Sequence, residues 1–261
     1  RGKSRSPKSL LVLENFKKLL DEGYKEIILT GVNVGEFGKD NGENLYGLLR
    51  EMVKVEGDFR IRISSIEPNL LTDEIINFVK NEEKMCRHFH IPLQSGSSEI
   101  LRLMKRRYNV QLYGNLVSKI LQEIPDAGIG VDVITGFPGE TEKLFNETYN
   151  FIEGLPVSYL HIFTYSERPD TPAINYEGAV GIPERKKRNK MLRALSEEKH
   201  RLFCETMKGK ELEALFENDE NNGYIKGLPQ IISAFFINLI QVFVINSVKY
   251  NSRMNFRRIA E

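Results

Sequence analysis

Short apolar runs rich in β-branched residues alternate with amphipathic stretches along most of the chain. The runs with strand character cover residues 26–30, 60–64, 87–92, 130–135 and 159–164. Apolar residues spaced three and four apart predict helices near 8–22, 44–54, 72–81, 98–105, 110–124 and 140–154. Strands and helices that alternate in this order are typical of a parallel sheet covered by helices. The pattern therefore predicts an α/β protein.

The loops that follow the predicted strands differ from the helix-to-strand joins. After the strands the chain reads TGVN from Thr30, SSIEP from Ser64, PLQSGS from Pro92, TGFPGE from Thr135 and TYSERPDTPA from Thr164. These loops are polar and rich in glycine. In barrel-type folds the loops at the carboxyl ends of parallel strands carry the functional residues. We therefore expect these loops to form one functional face.

Asp132 and two histidines lie inside predicted strands, where polar side chains need a partner. An unpaired carboxylate in an apolar strand is costly, so Asp132 is expected to hydrogen-bond a ligand or a neighbouring strand. His88 and His90 are two residues apart, so both side chains face the same side of their strand. They could bind a metal together, although no further ligand is close in sequence, or they could pack inside the fold.

Other polar residues of the loops are candidates for ligand binding. Gln94 and Ser95 are neutral donors and acceptors, which suit a ribose or an amino-acid backbone better than acid–base catalysis. Glu67, which follows Ser64 and Ser65, lies similarly at a strand end.

The GFPGE loop at 136–140 has the composition of a phosphate loop. It lacks the Lys-Ser/Thr pair of a Walker sequence, so it either approaches a ligand or is a structural turn. An unrelated barrel enzyme that binds a phosphate at this loop is one alternative for the function.

The amino-acid composition changes twice in the last part of the chain. A charged helix is predicted from 183 to about 208, and short segments at 210–216 and 223–227 indicate the start of a small β domain. Residues 231–248 hold no charged residue. That length just reaches a membrane span, but its serine, asparagine and glutamine residues suit hydrocarbon poorly. A non-native tail, as a reading-frame shift would produce, is the preferred interpretation.

Two basic clusters are candidates for RNA binding. They comprise Lys105, Arg106 and Arg107 and, on the charged helix, Arg185, Lys186, Lys187 and Arg188. Such clusters are usually solvated helix faces, and a net charge of +1 gives RNA binding little support by itself. Both interpretations stay open at this point.

Composition narrows the class of protein. With 41% hydrophobic residues, and 37 basic against 36 acidic side chains, the chain is neither disordered nor a strongly basic coat protein. Its two cysteines, Cys86 and Cys204, exclude a disulfide-rich secreted scaffold and cannot build a zinc or iron–sulfur site alone. We therefore expect a cytoplasmic protein. The chain begins at Arg1 without a signal peptide, which we interpret as a piece of a longer protein.

The segments around the polar loops, taken together, resemble one family. They are RGKSRS near the start, YKEIILTGVNVGEFG from Tyr24, FRIRISSIEPNLLTDEII from Phe59, HFHIPLQSGSSEILRLMKRRYN from His88, GVDVITGFPGETEKLFNETYNFIE from Gly130 and YLHIFTYSERPDTPA from Tyr159. In this order they resemble the radical S-adenosylmethionine (SAM) methylthiotransferases that modify tRNA, over about residues 1–227. The RISSIEP and HIFTYSERPDTPA segments are most similar to the branch that adds a methylthio group at C2 of N6-threonylcarbamoyladenosine 37. The isopentenyladenosine branch is the nearest alternative.

The resemblance implies a fold and a domain order. Residues 1–182 would form a partial (β/α)6 radical-SAM-type barrel that lacks its first strand. A basic linking helix would follow at 183–207, then the start of an OB-like, RNA-binding β domain at 208–227 and the apolar tail at 228–261. The partners would be tRNA and SAM, and we expect a monomer that does not associate with membranes.

The resemblance also implies which residues bind SAM. The methionyl end would meet the loops after the first two strands of this chain, at Thr30, Gly31, Asn33, Ser64, Ser65 and Glu67. The methionyl or ribose groups, and the adenine side, would meet the later loops, at Gln94, Ser95, Asp132, Ile134 and Gly136.

The chain also departs from the family pattern. Family members hold one [4Fe–4S] cluster through a CxxxCxxC motif and a second through three cysteines of an N-terminal domain, and neither set is in this sequence. Because such clusters need several thiolate ligands, we expect this chain as given to bind neither cluster and to be inactive alone. A non-catalytic tRNA-binding remnant is then the alternative function.

Overall fold

Strands and helices alternate along the computed structural model, which describes residues 5–210, 212–221, 224–231 and 254–255. The strands are β1 (Glu26–Leu29), β2 (Arg60–Ile63), β3 (His88–His90), β4 (Gly128–Thr135), β5 (Tyr159–Thr164), β6 (Glu213–Asn221), β7 (Tyr224–Pro229) and β8 (Met254–Asn255). The α-helices are α1 (Ser9–Asp21), α2 (Leu45–Val53), α3 (Asp73–Asn81), α4 (Ser98–Leu103), α5 (Val110–Glu123), α6 (Glu142–Gly154) and α7 (Ile182–Met207). The predicted α/β class is confirmed.

The strands β1 to β5 form the parallel wall of an open, partial barrel. β1 pairs with β2, and β3, β4 and β5 pair in that order, all in parallel. Backbone pairing of Ile61 with Met85 joins the two sheets, as does a hydrogen bond of 3.0 Å from the Ile66 amide to the His90 carbonyl. Among the described residues β1 pairs with β2 alone, so its other edge is open.

The two faces of this wall differ in chemistry because side chains alternate along each strand. The apolar members, such as Ile61, Phe89, Val131 and Leu160, are at most 3% exposed and belong to the main hydrophobic core beneath the helices. The alternate positions form the inner face and are mostly polar: Glu26, Arg60, Arg62, His88, His90, Asp132, Tyr159 and His161. The inner wall is therefore polar, unlike the interior of a TIM barrel, which branched apolar side chains fill.

Local signals in the sequence set two of the helix boundaries. Gly23 has φ of +93° just after α1, a conformation that costs glycine little. The Thr72 hydroxyl accepts a hydrogen bond from the Ile75 amide at the start of α3, and Asp73 and Glu74 lie in the first turn. Thr72 is therefore the N-cap of α3, at the start of the helix predicted near 72–81.

The helix α7 leads from the barrel to a small antiparallel sheet with strand order β7-β6-β8. The predicted β segments form the hairpin of β6 and β7, and residues 254–255, within the predicted tail, pair with β6. Except for Ile231, the apolar stretch 231–248 lies outside the described residues. In the part of the chain that is described, no helix has both the length and the apolarity of a membrane span.

Candidate functional site

A buried ion-pair network closes the amino-terminal end of the barrel wall. Glu26 accepts hydrogen bonds from Arg60 Nε at 2.5 Å and from Arg62 Nε at 2.7 Å, and the three side chains are at most 7% exposed. Arg62 also donates to the backbone carbonyls of Pro229 and Gln230, each at 3.2 Å, where β7 ends. This end of the barrel is therefore a joint to the small sheet rather than a ligand site.

His88 and Tyr159 fill the barrel interior next to this network. Their ring planes are 11° apart, and His88 Nε2 lies 2.7 Å from the Tyr159 hydroxyl. Gly130 makes room for the tyrosine, because a Cβ at that position would lie 2.3 Å from the ring. Burial lowers the pKa of His88 well below its ordinary value, so the ring is neutral. His88 is thus a packed core histidine, one of the two interpretations that the sequence left open.

Asp132 lies between two histidines from the neighbouring strands. Its Oδ1 is 2.9 Å from His90 Nε2 on β3 and 3.4 Å from His161 Nδ1 on β5. Burial by itself would raise the pKa of Asp132, but the hydrogen bonds from His161 and His90 outweigh burial and lower the pKa to about 2. The carboxylate is therefore ionised at neutral pH. Asp132 is thus hydrogen-bonded to both neighbouring strands, which is one of the two alternatives that the sequence left open.

A polar cavity of about 220 Å³ opens at the carboxyl ends of β1 and β2. Asn33, Glu36 and Glu67 line it from the loops after these strands, and residues 104–107 line it from the end of α4. Arg106 Nη1 donates to Glu67 Oε1 at 3.3 Å. Two buried polar atoms here, Asn33 Oδ1 and Arg106 Nε, have no hydrogen-bond partner among the described residues. Because unpaired buried polar atoms are costly, the cavity suits a polar ligand that supplies the missing partners.

The predicted SAM-binding residues lie around this end of the barrel. Asn33 and Glu67 share the cavity. Thr30 and Gly31 are exposed in the loop that carries Asn33. The remaining predicted members of the nearby loops and of the end of β4 are half-buried or buried: Ser64, Ser65, Asp132, Ile134 and Gly136. Contact of all these residues with SAM stays a prediction.

The loop after β3 is held in a strained conformation. Gln94 has φ of +69°, in the left-handed region that residues other than glycine rarely adopt. Its amide donates to the Asp132 carbonyl at 2.8 Å, and its carbonyl accepts from the Ile134 amide at 2.9 Å. Ser95 is fully buried, and its hydroxyl lies 2.9 Å from that of Thr148 on α6. The Ser95 hydroxyl therefore anchors the loop to a helix. Contact of Gln94 and Ser95 with SAM stays a prediction.

The GFPGE loop closes on its own carboxylate. Glu140 Oε1 accepts from the Gly136 amide at 2.8 Å and from Arg188 Nη1 of α7 at 2.7 Å. Gly136 has φ of +77°, and a Cβ there would lie 2.2 Å from Cγ of Arg185. An anion at the Gly136 amide would meet the Glu140 carboxylate that already occupies it. The contacts therefore favour a structural turn over a phosphate-binding loop.

The structure divides the basic residues that were candidates for RNA contact. Four of them are exposed: Lys105, Arg107, Lys186 and Lys187. Arg106 is half-buried in the cavity. Arg185 and Arg188 are 5% and 4% exposed, and they bind Glu167 and Glu140. These two arginines hold loops of the barrel in place and do not belong to a solvated helix face. RNA contact by the two basic clusters stays a prediction.

The sequence patterns did not single out His161 or the position of Arg106 in the cavity. Side chains alternate between the two faces of a strand, so the sequence YLHIF places His161 on the inner face, as HFH places His90. Only the register of β4 against β5 shows that His161 lies opposite Asp132. A run of basic residues, such as the one that contains Arg106, indicates a solvated face equally well, so its spacing alone gives no sign of the cavity.

Comparison with protein families decides which kind of barrel this is. The family profile described as the radical SAM superfamily matches residues 1–152. The chain belongs to the radical SAM superfamily. The α/β wall of β1 to β5 is therefore a radical SAM barrel in partial form, as the sequence resemblance implied.

Curated relatives of this radical SAM chain are tRNA-modifying enzymes. The chain is 44% identical over 215 residues to the threonylcarbamoyladenosine tRNA methylthiotransferase MtaB of Aquifex aeolicus, which covers 82% of this chain and 52% of that protein. It is 40% identical over 232 residues to MtaB of Bacillus subtilis, which covers 86% and 51%. It is also 40% identical over 222 residues to the tRNA-2-methylthio-N(6)-dimethylallyladenosine synthase of Acetivibrio thermocellus, which covers 83% and 46%. The chain thus spans about half the length of these relatives.

A solved structure supports the fold. Coproporphyrinogen III oxidase (HemN) from Escherichia coli, a radical SAM enzyme, superposes with a TM-score of 0.54 at 17% sequence identity. The superposition covers 73% of this chain and 46% of HemN. At this identity the likeness shows the radical SAM fold alone.

The residues of the chain fit the two cofactors of the superfamily unequally. The cavity beside Asn33 and Arg106, with its two unpartnered polar atoms, fits the polar methionyl end of SAM. An iron–sulfur cluster is held by several thiolates, and this chain has two cysteines, a buried Cys86 before β3 and Cys204 on α7. The chain's own residues therefore do not fit a [4Fe–4S] cluster.

Proposed function

We propose that this chain is the barrel part of a tRNA methylthiotransferase that acts at C2 of N6-threonylcarbamoyladenosine 37. The observation that carries the proposal is the 44% identity over 215 residues to MtaB of Aquifex aeolicus, a length that includes most of the barrel. The alternative substrate is isopentenyladenosine 37, because a dimethylallyladenosine synthase is 40% identical over a similar length.

The geometry supports SAM binding at the cavity after β1 and β2. Asn33 Oδ1 would accept a hydrogen bond from the SAM amino group, and Arg106 Nε would donate to the SAM carboxylate, so that both unpartnered atoms gain partners. Glu67 already accepts from Arg106 at 3.3 Å, which holds the guanidinium in place. Bound SAM would supply the methyl group of the product. The protein's part is to orient SAM and exclude water from it.

The charge of the cavity supports the threonylcarbamoyl substrate over the isopentenyl one. Three basic side chains line the cavity, at Lys105, Arg106 and Arg107, against the acidic Glu36 and Glu67. The threonylcarbamoyl group carries a carboxylate, whereas the isopentenyl group carries no charge. Arg106 and Arg107 pair with Glu67 and Glu36, so Lys105 is the cationic side chain at the rim that would suit the former.

The exposed basic residues also support a tRNA substrate. Lys105 and Arg107 lie beside the cavity and Lys186 and Lys187 lie on α7. Contacts of such side chains with phosphates would make tRNA affinity fall steeply with salt. The same contacts would serve a non-catalytic tRNA-binding remnant, so salt dependence alone does not separate the two functions.

Disruption of the gene that encodes this chain tests the substrate. We expect the tRNA of the disrupted strain to lose 2-methylthio-N6-threonylcarbamoyladenosine and to keep the unmethylthiolated nucleoside, as measured by mass spectrometry of digested tRNA. The control is the same strain with the gene restored. Loss of the methylthiolated isopentenyladenosine instead would establish the alternative substrate, and an unchanged nucleoside profile would overturn both.

The 261-residue chain alone is expected not to cleave SAM, because its two cysteines cannot supply a cluster. The purified chain, reconstituted with iron and sulfide under reducing conditions, should release no 5′-deoxyadenosine from SAM above the protein-free background. Full-length MtaB of Aquifex aeolicus, treated identically, serves as the positive control. Release of 5′-deoxyadenosine by the chain would contradict this expectation.

A further inference from the structure

We propose that His90, Asp132 and His161 form a binding site for a single divalent transition-metal ion on the inner wall of the barrel. The site is chemically distinct from an iron–sulfur cluster because its donors are two imidazoles and one carboxylate, with no thiolate. The inference is independent of the proposed tRNA substrate. It rests on the arrangement of the three side chains.

The three donor atoms lie close together on the inner wall. His90 Nε2, Asp132 Oδ1 and His161 Nδ1 all lie within 4.8 Å of one another. Three adjacent parallel strands carry them, with Asp132 on the central strand β4 and directly opposite His161 in the register. Because each side chain stands on a paired strand rather than on a loop, the backbone fixes the spacing before any ion binds.

Two of the three separations match those of ligands that share an ion. Bonds of about 2.1 Å from zinc to nitrogen or oxygen place neighbouring donors about 3.4 Å apart in a tetrahedral shell and about 3.0 Å apart in an octahedral one. Asp132 Oδ1 is 3.4 Å from His161 Nδ1 and 2.9 Å from His90 Nε2. An ion could therefore replace the protons that now join these atoms, with small movements of the side chains.

The ionisation and exposure of the group also suit an ion. The Asp132 carboxylate is flanked by imidazoles and supplies the negative charge that a divalent ion requires. The side chains of His90, Asp132 and His161 are 16%, 19% and 28% exposed, so an ion can reach them from the barrel interior. Three protein ligands leave coordination positions open for water or for a ligand in the barrel. Imidazole and carboxylate donors in this number favour Zn²⁺, Fe²⁺ or Co²⁺ over Mg²⁺ or Ca²⁺.

Titration of the chelator-treated full chain with Co²⁺ and with Zn²⁺ tests the proposal. We expect one equivalent of Co²⁺ to produce the visible absorption of a nitrogen- and oxygen-ligated ion, and Zn²⁺ to displace it. Replacement of a residue that only supports a metal ligand costs about 10–100-fold in metal affinity, so Asp132→Asn, which removes a ligand, should cost at least that. His161→Gln should lose a comparable amount of metal affinity. If circular dichroism shows that one of the two variants folds poorly, the other variant still tests the proposal.

His200→Gln is the matched control. His200 lies on α7, where its Nε2 is 3.7 Å from Cys204 Sγ. The variant therefore removes one of the four histidines of the chain and leaves the inner wall unchanged. The proposal requires Co²⁺ affinity to be unchanged in His200→Gln. It is overturned if the folded wild-type chain binds no Co²⁺ or Zn²⁺ at millimolar concentration. It is equally overturned if binding survives Asp132→Asn and His161→Gln, or if it is lost in His200→Gln.

Discussion

Replacement of Arg188 by alanine is expected to lower the free energy of unfolding by about 3–5 kcal/mol. Arg188 and Glu140 form an ion pair of 2.7 Å whose side chains are 5% and 1% exposed. The variant would leave the Glu140 carboxylate in the interior with the Gly136 amide as its remaining donor. Burial already raises the pKa of Glu140, and Arg188 offsets part of that effect. Loss of one partner of a buried pair therefore costs far more than the pair contributes by itself.

Urea denaturation of three variants measures this effect. Lys186→Ala is the control on the same helix, because Lys186 is exposed, and its unfolding free energy should stay within about 0.5 kcal/mol of the wild type. In the double variant Arg188→Ala, Glu140→Gln we expect part of the lost stability to return, since the buried carboxylate at position 140 is gone and Glu184, which also loses Arg188, is 38% exposed. An Arg188→Ala variant as stable as Lys186→Ala would show that the buried pair does not hold the GFPGE loop.

The fold could be predicted from the sequence to within a few residues wherever apolar periodicity was regular. The last strand of the wall, Tyr159–Thr164, has the predicted bounds, whereas β4 begins at Gly128, two residues before the prediction. Glycine lowers strand propensity, so the start of GIGVDVIT looks like a turn. The structure uses Gly130 in the strand because the Tyr159 ring occupies the space that a Cβ would take. That contact joins residues of two different strands, so no local sequence pattern indicates it.

The candidate site was less predictable because its contacts depend on register and on helix phase. The charge run at 185–188 looked like a solvated face, yet Arg185 and Arg188 continue the buried stripe of α7 that contains Leu192 and Leu195. Extension of that stripe backwards by four and seven residues identifies both arginines as inward-facing. In contrast, nothing in the sequence could reveal that residues 229–230 contact Arg62, more than 160 positions earlier.

Glu26→Gln is expected to destabilise the chain by about 3–5 kcal/mol at neutral pH, because it removes the carboxylate that two buried guanidinium groups share. The Glu26 carboxylate accepts from Arg60 at 2.5 Å and from Arg62 at 2.7 Å. Glutamine has nearly the same shape but carries no charge, so it cannot neutralise either arginine. Arg62 also holds the carbonyls of Pro229 and Gln230, so the variant should loosen the joint between the barrel and the small sheet as well.

The pH dependence of this effect separates an ionic role of Glu26 from a role in packing. Burial by itself would raise the pKa of Glu26, but the hydrogen bonds and charges of Arg62 and Arg60 outweigh burial and lower the pKa below 4.5. A carboxyl group with a lowered pKa in the folded state stabilises the protein fully above its unfolded-state pKa, and this contribution is lost as the pH falls through the folded-state value. The stability difference between wild type and Glu26→Gln should therefore be largest at neutral pH and shrink as the pH falls below 4.5.

Urea titrations of wild type and Glu26→Gln at neutral and at acid pH measure this difference. All other carboxylates are present in both proteins, so their contribution to the pH dependence cancels. Glu51→Gln serves as the exposed control, because Glu51 pairs with Lys54 at 2.6 Å but its side chain is 52% exposed. An exposed pair contributes at most about 1 kcal/mol, so this variant should change little at either pH. If Glu26→Gln costs the same at both pH values, the side chain acts through shape and hydrogen bonds. The joint at the base of the barrel would then not depend on charge.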